Sequence, residues 1–281
     1  MALEILELAF MQRALIAGIA VAITTSVIGL FLVLRRNSLF GDALSHVAFG
    51  GIAVGLVTSV YPLWTGMAFS VLGALGIIKL RQSTRIPADA TVAILLAGGL
   101  ALGLFLMSTS LSGNLQNIIS YLFGSILLVS IDDTLAILAM AGGVLAIVIL
   151  LYRQLVYVTF DEEQAKVSGL SITKLSYLFA VLASITVIVS MRLVGILLVS
   201  ALIVIPTVTA LLLGKGFKKT ALISVAISIS SVVTGIVVSF VANSPPSATI
   251  VMVLIGVFVA TLVAKYSSKR RMEEKLEAAK S

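Results

Sequence analysis

The chain has 281 residues, of which 60% are hydrophobic and 11% charged, and its mean hydropathy is +1.20. Soluble domains carry about 25% charged residues, so this composition excludes one water-exposed surface wrapped around one core, and with it a soluble enzyme. The net charge of +7 would suggest nucleic acid in a soluble domain, but here its distribution carries the information, and no nucleic-acid partner is expected. Cysteine is absent, which removes disulfides, thiolate nucleophiles and Cys-type zinc sites. The N-terminal MALEILELAFMQR has no basic n-region and carries Glu4 and Glu7, so its apolar run is expected to stay in the bilayer rather than be cleaved.

Apolar runs read in chain order as Ala14–Leu34, Ala43–Val60, Leu63–Ile78, Ala90–Met107, Thr134–Tyr152, Leu175–Ser190, Gly195–Leu213, Thr220–Ala242 and Ala248–Ala264. At roughly 20 apolar residues per span, the expectation is an all-α, polytopic transmembrane helical bundle of about nine spans. Eight spans follow if Ser190–Val194 is a kink inside the membrane rather than a connection. Arg35 and Arg36 follow the first run, Lys79, Arg81 and Arg85 the third, Arg153, Lys166 and Lys174 the fifth, and Lys215, Lys218 and Lys219 the seventh. Lys265, Lys269, Arg270, Arg271, Lys275 and Lys280 occupy the tail, so all of the 19 basic residues except Arg13 and Arg192 lie on alternate connections. The positive-inside rule then puts the N-terminus outside and the C-terminus in the cytoplasm of a multi-pass cell-membrane protein.

Two connections are too long for simple turns. Ser108–Asp133 contains NLQNIISYLFGSILL, read as a re-entrant or surface helix bounded by Gly113 and Asp132–Asp133. Arg153–Lys174 contains FDEEQAKVSGL. There Asp161, Glu162 and Glu163 open a short helix at its positive dipole end, and Gly169 is placed to stop it. Such a helix is either a handle for a soluble partner or an ordinary solvated segment. The glycines Gly98–Gly99, Gly142–Gly143 and Gly51-x-x-x-Gly55 are expected to let helices approach closely.

Ionisable residues beside membrane spans are expensive and usually functional. The only histidine, His46, lies four residues after Asp42 in GDALSHVAFGG, and positions i and i+4 share a helix face. A carboxylate and an imidazole converging on one spot suit borderline divalent cations. Two ligands are too few for a tight structural site, but two copies across a two-fold axis would supply two Asp and two His. The competing structural reading has Asp42 capping the helix and His46 bonded to a backbone carbonyl. Enzymatic readings fare worse. There is no H-E-x-x-H, Ser45 and His46 are adjacent and so point about 100° apart, and GKGFKKT lacks the leading glycine of a P-loop.

GDALSHVAFGGIAVGL resembles the signature of the integral membrane permeases of manganese, zinc and sometimes iron ABC importers (the ABC-3 type). DATVAILLAGGLALGLFL, YLFGSILLVSIDD, FDEEQAKVSGL and LVGILLVSALIVIPTVTA follow in the family's order, and the similarity runs over about residues 10–265. The resemblance implies a non-enzymatic permease domain over residues 1–265, with a cytoplasmic coupling loop at about 153–174 and a charged tail at 266–281. It implies a homodimer, two separate ATP-binding subunits that consume ATP on the cytoplasmic side, and an extracytoplasmic metal-binding protein. No permanently bound cofactor is implied; zinc, manganese or ferrous iron is the cargo. Asp42 and His46 match the signature's metal ligands. Phe160, Asp161, Glu162, Glu163 and Gly169 fall in the coupling segment, where Gln164 stands in place of a common apolar residue. Met191, Leu193 and Val194 are candidates for an apolar gate, with ordinary helix packing as the other reading. Alternatives are a permease for chelated metal or cobalamin-like cargo, which would not need an Asp-x-x-x-His pair, and an ATP-independent secondary transporter, which would not need a coupling helix.

Overall fold

The computed structural model describes residues 9–83, 86–109, 124 and 130–278, so apart from Gly124 the re-entrant helix expected within NLQNIISYLFGSILL lies outside the described residues. Ten helices are described: α1 Ala9–Leu34, α2 Phe40–Thr58, α3 Pro62–Ser83, α4 Ala88–Thr109, α5 Ile131–Leu150, α6 Tyr152–Phe160, α7 Glu162–Val167, α8 Ile172–Leu212, α9 Phe217–Val241 and α10 Pro246–Ala278. Eight of them contain a segment long and apolar enough to cross a membrane. Helices are the natural solution there because lipid offers no partner to backbone N–H and C=O groups. Several polar side chains within the spans are satisfied in the same way, by nearby backbone or by one another. Thr24 and Thr25 of α1 donate back to the carbonyls of Ala20 and Val21 at 2.9 and 2.7 Å, and the hydroxyls of Ser26 and Ser224 meet at 2.6 Å to join α1 to α9.

Helix ends carry recognisable local chemistry. Ser130 caps α5, accepting from the Asp133 N–H while the Asp133 carboxylate accepts from the Ser130 N–H, a reciprocal capping box. Pro62 opens α3, where a missing N–H costs nothing. The tail does not form a separate element as far as residue 278, since α10 continues unbroken from the last span.

The centre of the bundle is α8, packed against α1, α2, α3 and α5. At 41 residues it would be roughly 60 Å long if straight, twice the hydrocarbon thickness of about 30 Å. It reverses at Gly195, whose φ of 74° and ψ of 170° are non-helical and essentially restricted to glycine. Contacts trace the reversal. Phe179 meets Phe31 near the end of α1, Arg192 meets Asp133 at the start of α5, and Ile203 then returns to pack on Gly29 and Gly41. The expected break at Ser190–Val194 is therefore displaced. Those residues are helical and, Arg192 apart, buried, and one glycine makes the turn. The returning segment, Leu198–Leu212, is apolar but shorter than the other spans, at about 22 Å. The described residues thus hold eight full-length candidate spans and a further, shorter apolar segment that returns between them.

The basic connections gather at one end. Arg35 Nε donates to Thr159 at 3.0 Å, Arg81 donates to Asn37 at 3.0 Å, and Phe217 packs against Phe31, Tyr152 and Phe160. The two exceptions sit at the opposite end, Arg192 beside Asp133 and Arg13 one turn from Phe10, which packs on Phe240. Of the glycines expected to pack, Gly51, Gly55 and Gly99 are in close contact, whereas Gly98, Gly142 and Gly143 have nothing among the described residues within 4 Å of a would-be Cβ. The latter face outward from the bundle, so adjacency in a Gly pair did not mean a shared packing face.

A Gly195→Ala substitution is expected to cost about 1–3 kcal/mol. This would be read as a lowered unfolding temperature of the purified protein in detergent; an unchanged temperature would show that the reversal does not depend on glycine.

Candidate functional site

Asp42 lies in the first turn of α2 and His46 one turn further along, near the end of the bundle that carries Arg35. The helix brings them together as the i, i+4 spacing requires, with His46 Nε2 3.6 Å from Asp42 Oδ1. That separation is beyond a hydrogen bond, so the two groups converge without holding one another. The side chains of Asp42 and His46 are 28% and 13% exposed, enough to be reached. The structural reading set against a cation site is not realised in the geometry. The N-cap of α2 is Leu39 with no side-chain cap, and His46 Nδ1 is buried without a hydrogen bond among the described residues.

Two other elements build the site. Ser200, in the returning half of α8, donates from Oγ to Asp42 Oδ1 at 2.7 Å and so fixes the carboxylate's orientation. From the other side, α4 presses its backbone against α2. A Cβ on Gly99 would lie 2.7 Å from the His46 carbonyl oxygen and 2.6 Å from the Val47 nitrogen, so only glycine fits there. Ser200 escaped the reading of the sequence, although it is the only hydroxyl between Arg192 and Thr207 in an otherwise apolar run. One carboxylate, one imidazole and one hydroxyl are a donor set for a borderline divalent cation, yet fewer than the four ligands of a closed site. Among the described residues no group of three or more His, Asp or Glu side chains converges. A second copy or water would have to complete the coordination.

The acidic segment folds as read. Asp161 caps α7 by accepting from the Gln164 N–H at 2.8 Å, Glu162 and Glu163 fill the first turn, and Gly169 ends it at φ 83°. Ala165 is buried, while Phe160, Glu162, Glu163, Gln164 and Val167 are exposed, so α7 offers a surface rather than a packed face. Beneath it, Phe160 stacks edge-on to Phe217 with centroids 6.0 Å apart. The segment lies at the same end of the bundle as Asp42, joined to α1 through Arg35 and Thr159.

Met191, Leu193 and Val194 are buried to 2% exposure or less, immediately before the Gly195 reversal. Between them Arg192 Nη2 donates to Asp133 Oδ2 at 2.8 Å, and Ser130 Oγ donates to the same oxygen at 2.8 Å. Arg192, an exception to the charge alternation, thus meets an acid of the Asp132–Asp133 pair that bounds the preceding connection.

The chain matches the ABC 3 transport family over residues 7–265. It is 31% identical to the manganese transport system membrane protein MntC of Listeria monocytogenes, covering 96% of this chain and 98% of that one. It is 32% identical to the high-affinity zinc uptake system membrane protein ZnuB of Buchnera aphidicola, covering 89% and 96%. In structure it superposes on a chain of PsaBC from Streptococcus pneumoniae, solved in complex with Fab, with a TM-score of 0.84 and 28% identity over 92% of this chain and 94% of that chain.

Ser200→Ala is expected to leave thermal stability within about 1 kcal/mol and to weaken manganese or zinc binding by roughly 10- to 100-fold. Calorimetric titration of the purified protein reads both metals, and an unaltered affinity would remove Ser200 from the site.

Proposed function

From this chain's membership of the ABC 3 transport family, we propose that it is the membrane permease subunit of an ATP-driven importer that carries a divalent transition-metal ion into the cytoplasm. Manganese and zinc are the leading cargoes, since relatives along nearly the whole chain are named for each; ferrous iron suits the same donors. The observation that carries this reading is the Asp42–His46 pair. It is partly open, with the carboxylate oriented by Ser200 and the imidazole Nδ1 making no hydrogen bond among the described residues. A cargo site must release what it binds, and a cation held by two ligands per copy leaves more readily than one in a closed tetrahedral shell.

The permease works as a homodimer in which two copies of Asp42 and His46 contribute to one path. ATP is consumed by a separate pair of subunits docked at α6–α7, where Phe160, Asp161, Glu162, Glu163 and Gly169 form the contact. The exposure of α7 on one buried anchor, Ala165, supports this role. A metal-binding protein delivers the ion at the opposite end, which is extracytoplasmic by the charge distribution. Closure of the ATPase pair moves α6–α7, and the Asp42–His46 cluster faces each side in turn. Met191, Leu193 and Val194 form the apolar constriction on the far side of the site, held beside the reversal of α8.

His46→Ala is expected to abolish metal uptake by cells while the variant still reaches the membrane and captures the ATPase. Normal uptake would sink the cargo-site assignment. Glu162→Lys combined with Glu163→Lys is expected to uncouple, so that metal no longer stimulates ATP hydrolysis in the reconstituted complex. Retained stimulation would reduce α7 to a solvated surface.

A further inference from the structure

A cavity of about 510 Å3 lies at the Arg35 end of the bundle, between the end of α1, the start of α2, the end of α3 and the α6–α7 junction. Three arginines line it, Arg35, Arg36 and Arg81, against one carboxylate, Glu162. Apolar side chains including Leu34, Phe40 and Ile78 complete much of the wall. Two of the guanidinium groups are oriented by uncharged partners. Arg35 donates from Nε to Thr159 at 3.0 Å and lies 4.9 Å above the Phe179 ring centroid, and Arg81 donates from Nη1 to Asn37 at 3.0 Å. Among the described residues neither forms an ion pair, and Arg35 Nη2 and Arg81 Nε are buried without a hydrogen bond. Burial pushes the Arg35 guanidinium below its ordinary value, against the opposing charge of Glu162, yet arginine stays charged.

Buried N–H donors on a cation call for an anionic acceptor, and the planar guanidinium fork matches the oxygens of phosphate or carboxylate. The count of charges favours phosphate, because three arginines exceed the two carboxylates that act on them, Glu162 on Arg35 and Asp89 on Arg81, and a phosphate offers several acceptors at once. Location points the same way. Leu34 is the last residue of a span, so the cavity sits at the membrane boundary, where basic pockets between helices hold phosphorylated headgroups.

We infer that this three-arginine cavity is an oxyanion site that takes a phosphate group, presented by an anionic phospholipid headgroup or as free phosphate. The site is independent of the cargo reading. It binds the ends of α1 and α3 to the α6–α7 junction through one shared anion.

The test uses the full-length protein in nanodiscs of phosphatidylcholine, with or without phosphatidylglycerol, and native mass spectrometry to count retained lipids. A parallel arm titrates inorganic phosphate against the thermal unfolding of the protein in phosphatidylcholine alone. Retention of phosphatidylglycerol that falls about tenfold in Arg81→Gln and Arg36→Gln supports the site with lipid as its source. Stabilisation by inorganic phosphate that disappears in the same variants supports it with free phosphate as the source. Arg36 is exposed, so its variant reports on the site even where Arg81→Gln impairs folding. Equal behaviour of wild type and variants in both arms overturns the inference. Loss of ATPase capture by the variants with no change in either arm also overturns it, reassigning the arginines to a carboxylate of a protein partner.

Discussion

Backbone that leaves the helical conformation within a bilayer must be enclosed by protein, because lipid cannot satisfy its N–H and C=O groups. Gly195 is such a point. It is buried, with Met191, Leu193, Val194 and Ile196 buried around it and the backbone of Gly124 against it. Enclosing this reversal requires α8 to sit at the centre of the bundle, and that in turn decides what the other helices pack on. The first half of α8 and the whole of α1 are largely buried, whereas α3, α4, α5, α9 and α10 turn most of their surface outward.

The reversal also assembles the candidate site. Without it Ser200 would lie beyond the end of the bundle; with it, the hydroxyl returns to Asp42 and Ile203 packs on Gly41. Polar contacts therefore hold α8 on both sides of the break, Arg192 to α5 through Asp133 and Ser200 to α2 through Asp42. The apolar residues Met191, Leu193 and Val194 lie with Arg192 on the first side. At the far end, the aromatic cluster of Phe31, Phe160 and Phe217 joins α1, the α6–α7 segment and the start of α9, so the exposed acidic helix rests on the same base as the spans.

Some features were legible because their cause is local. Asp161, Glu162, Glu163 and Gly169 specify a capped, glycine-terminated turn of helix whatever surrounds it, and the structure has that turn. The Asp42–His46 convergence follows from the helical repeat alone. Features whose cause is a distant neighbour were not legible. Gly99 and Gly98 are adjacent and chemically identical, yet only Gly99 meets another helix, because which side of α4 faces inward depends on where α2 lies. Arg192 and Asp133 are separated by 59 positions, and nothing in either segment names the other. The turn of α8 was misplaced by a few residues because an apolar run carries no periodic signal when both its faces are buried, and only the φ angle at Gly195 marks the break.

Composition and charge were enough to determine a helical membrane bundle, its approximate spans and a common end for its basic connections. These follow from transfer free energies that act on each segment separately, since lipid excludes charge and unpaired backbone wherever they occur. Spacing along one helix likewise determined that Asp42 and His46 share a face. Tertiary structure decided that the seventh apolar run returns from Gly195 as a shorter segment, that Ser200 rather than an acid orients Asp42, and that three arginines close around one cavity. Those outcomes rest on which helix surfaces meet, and that is settled by packing and hydrogen bonding between segments far apart in the chain, not by the preferences of any one of them.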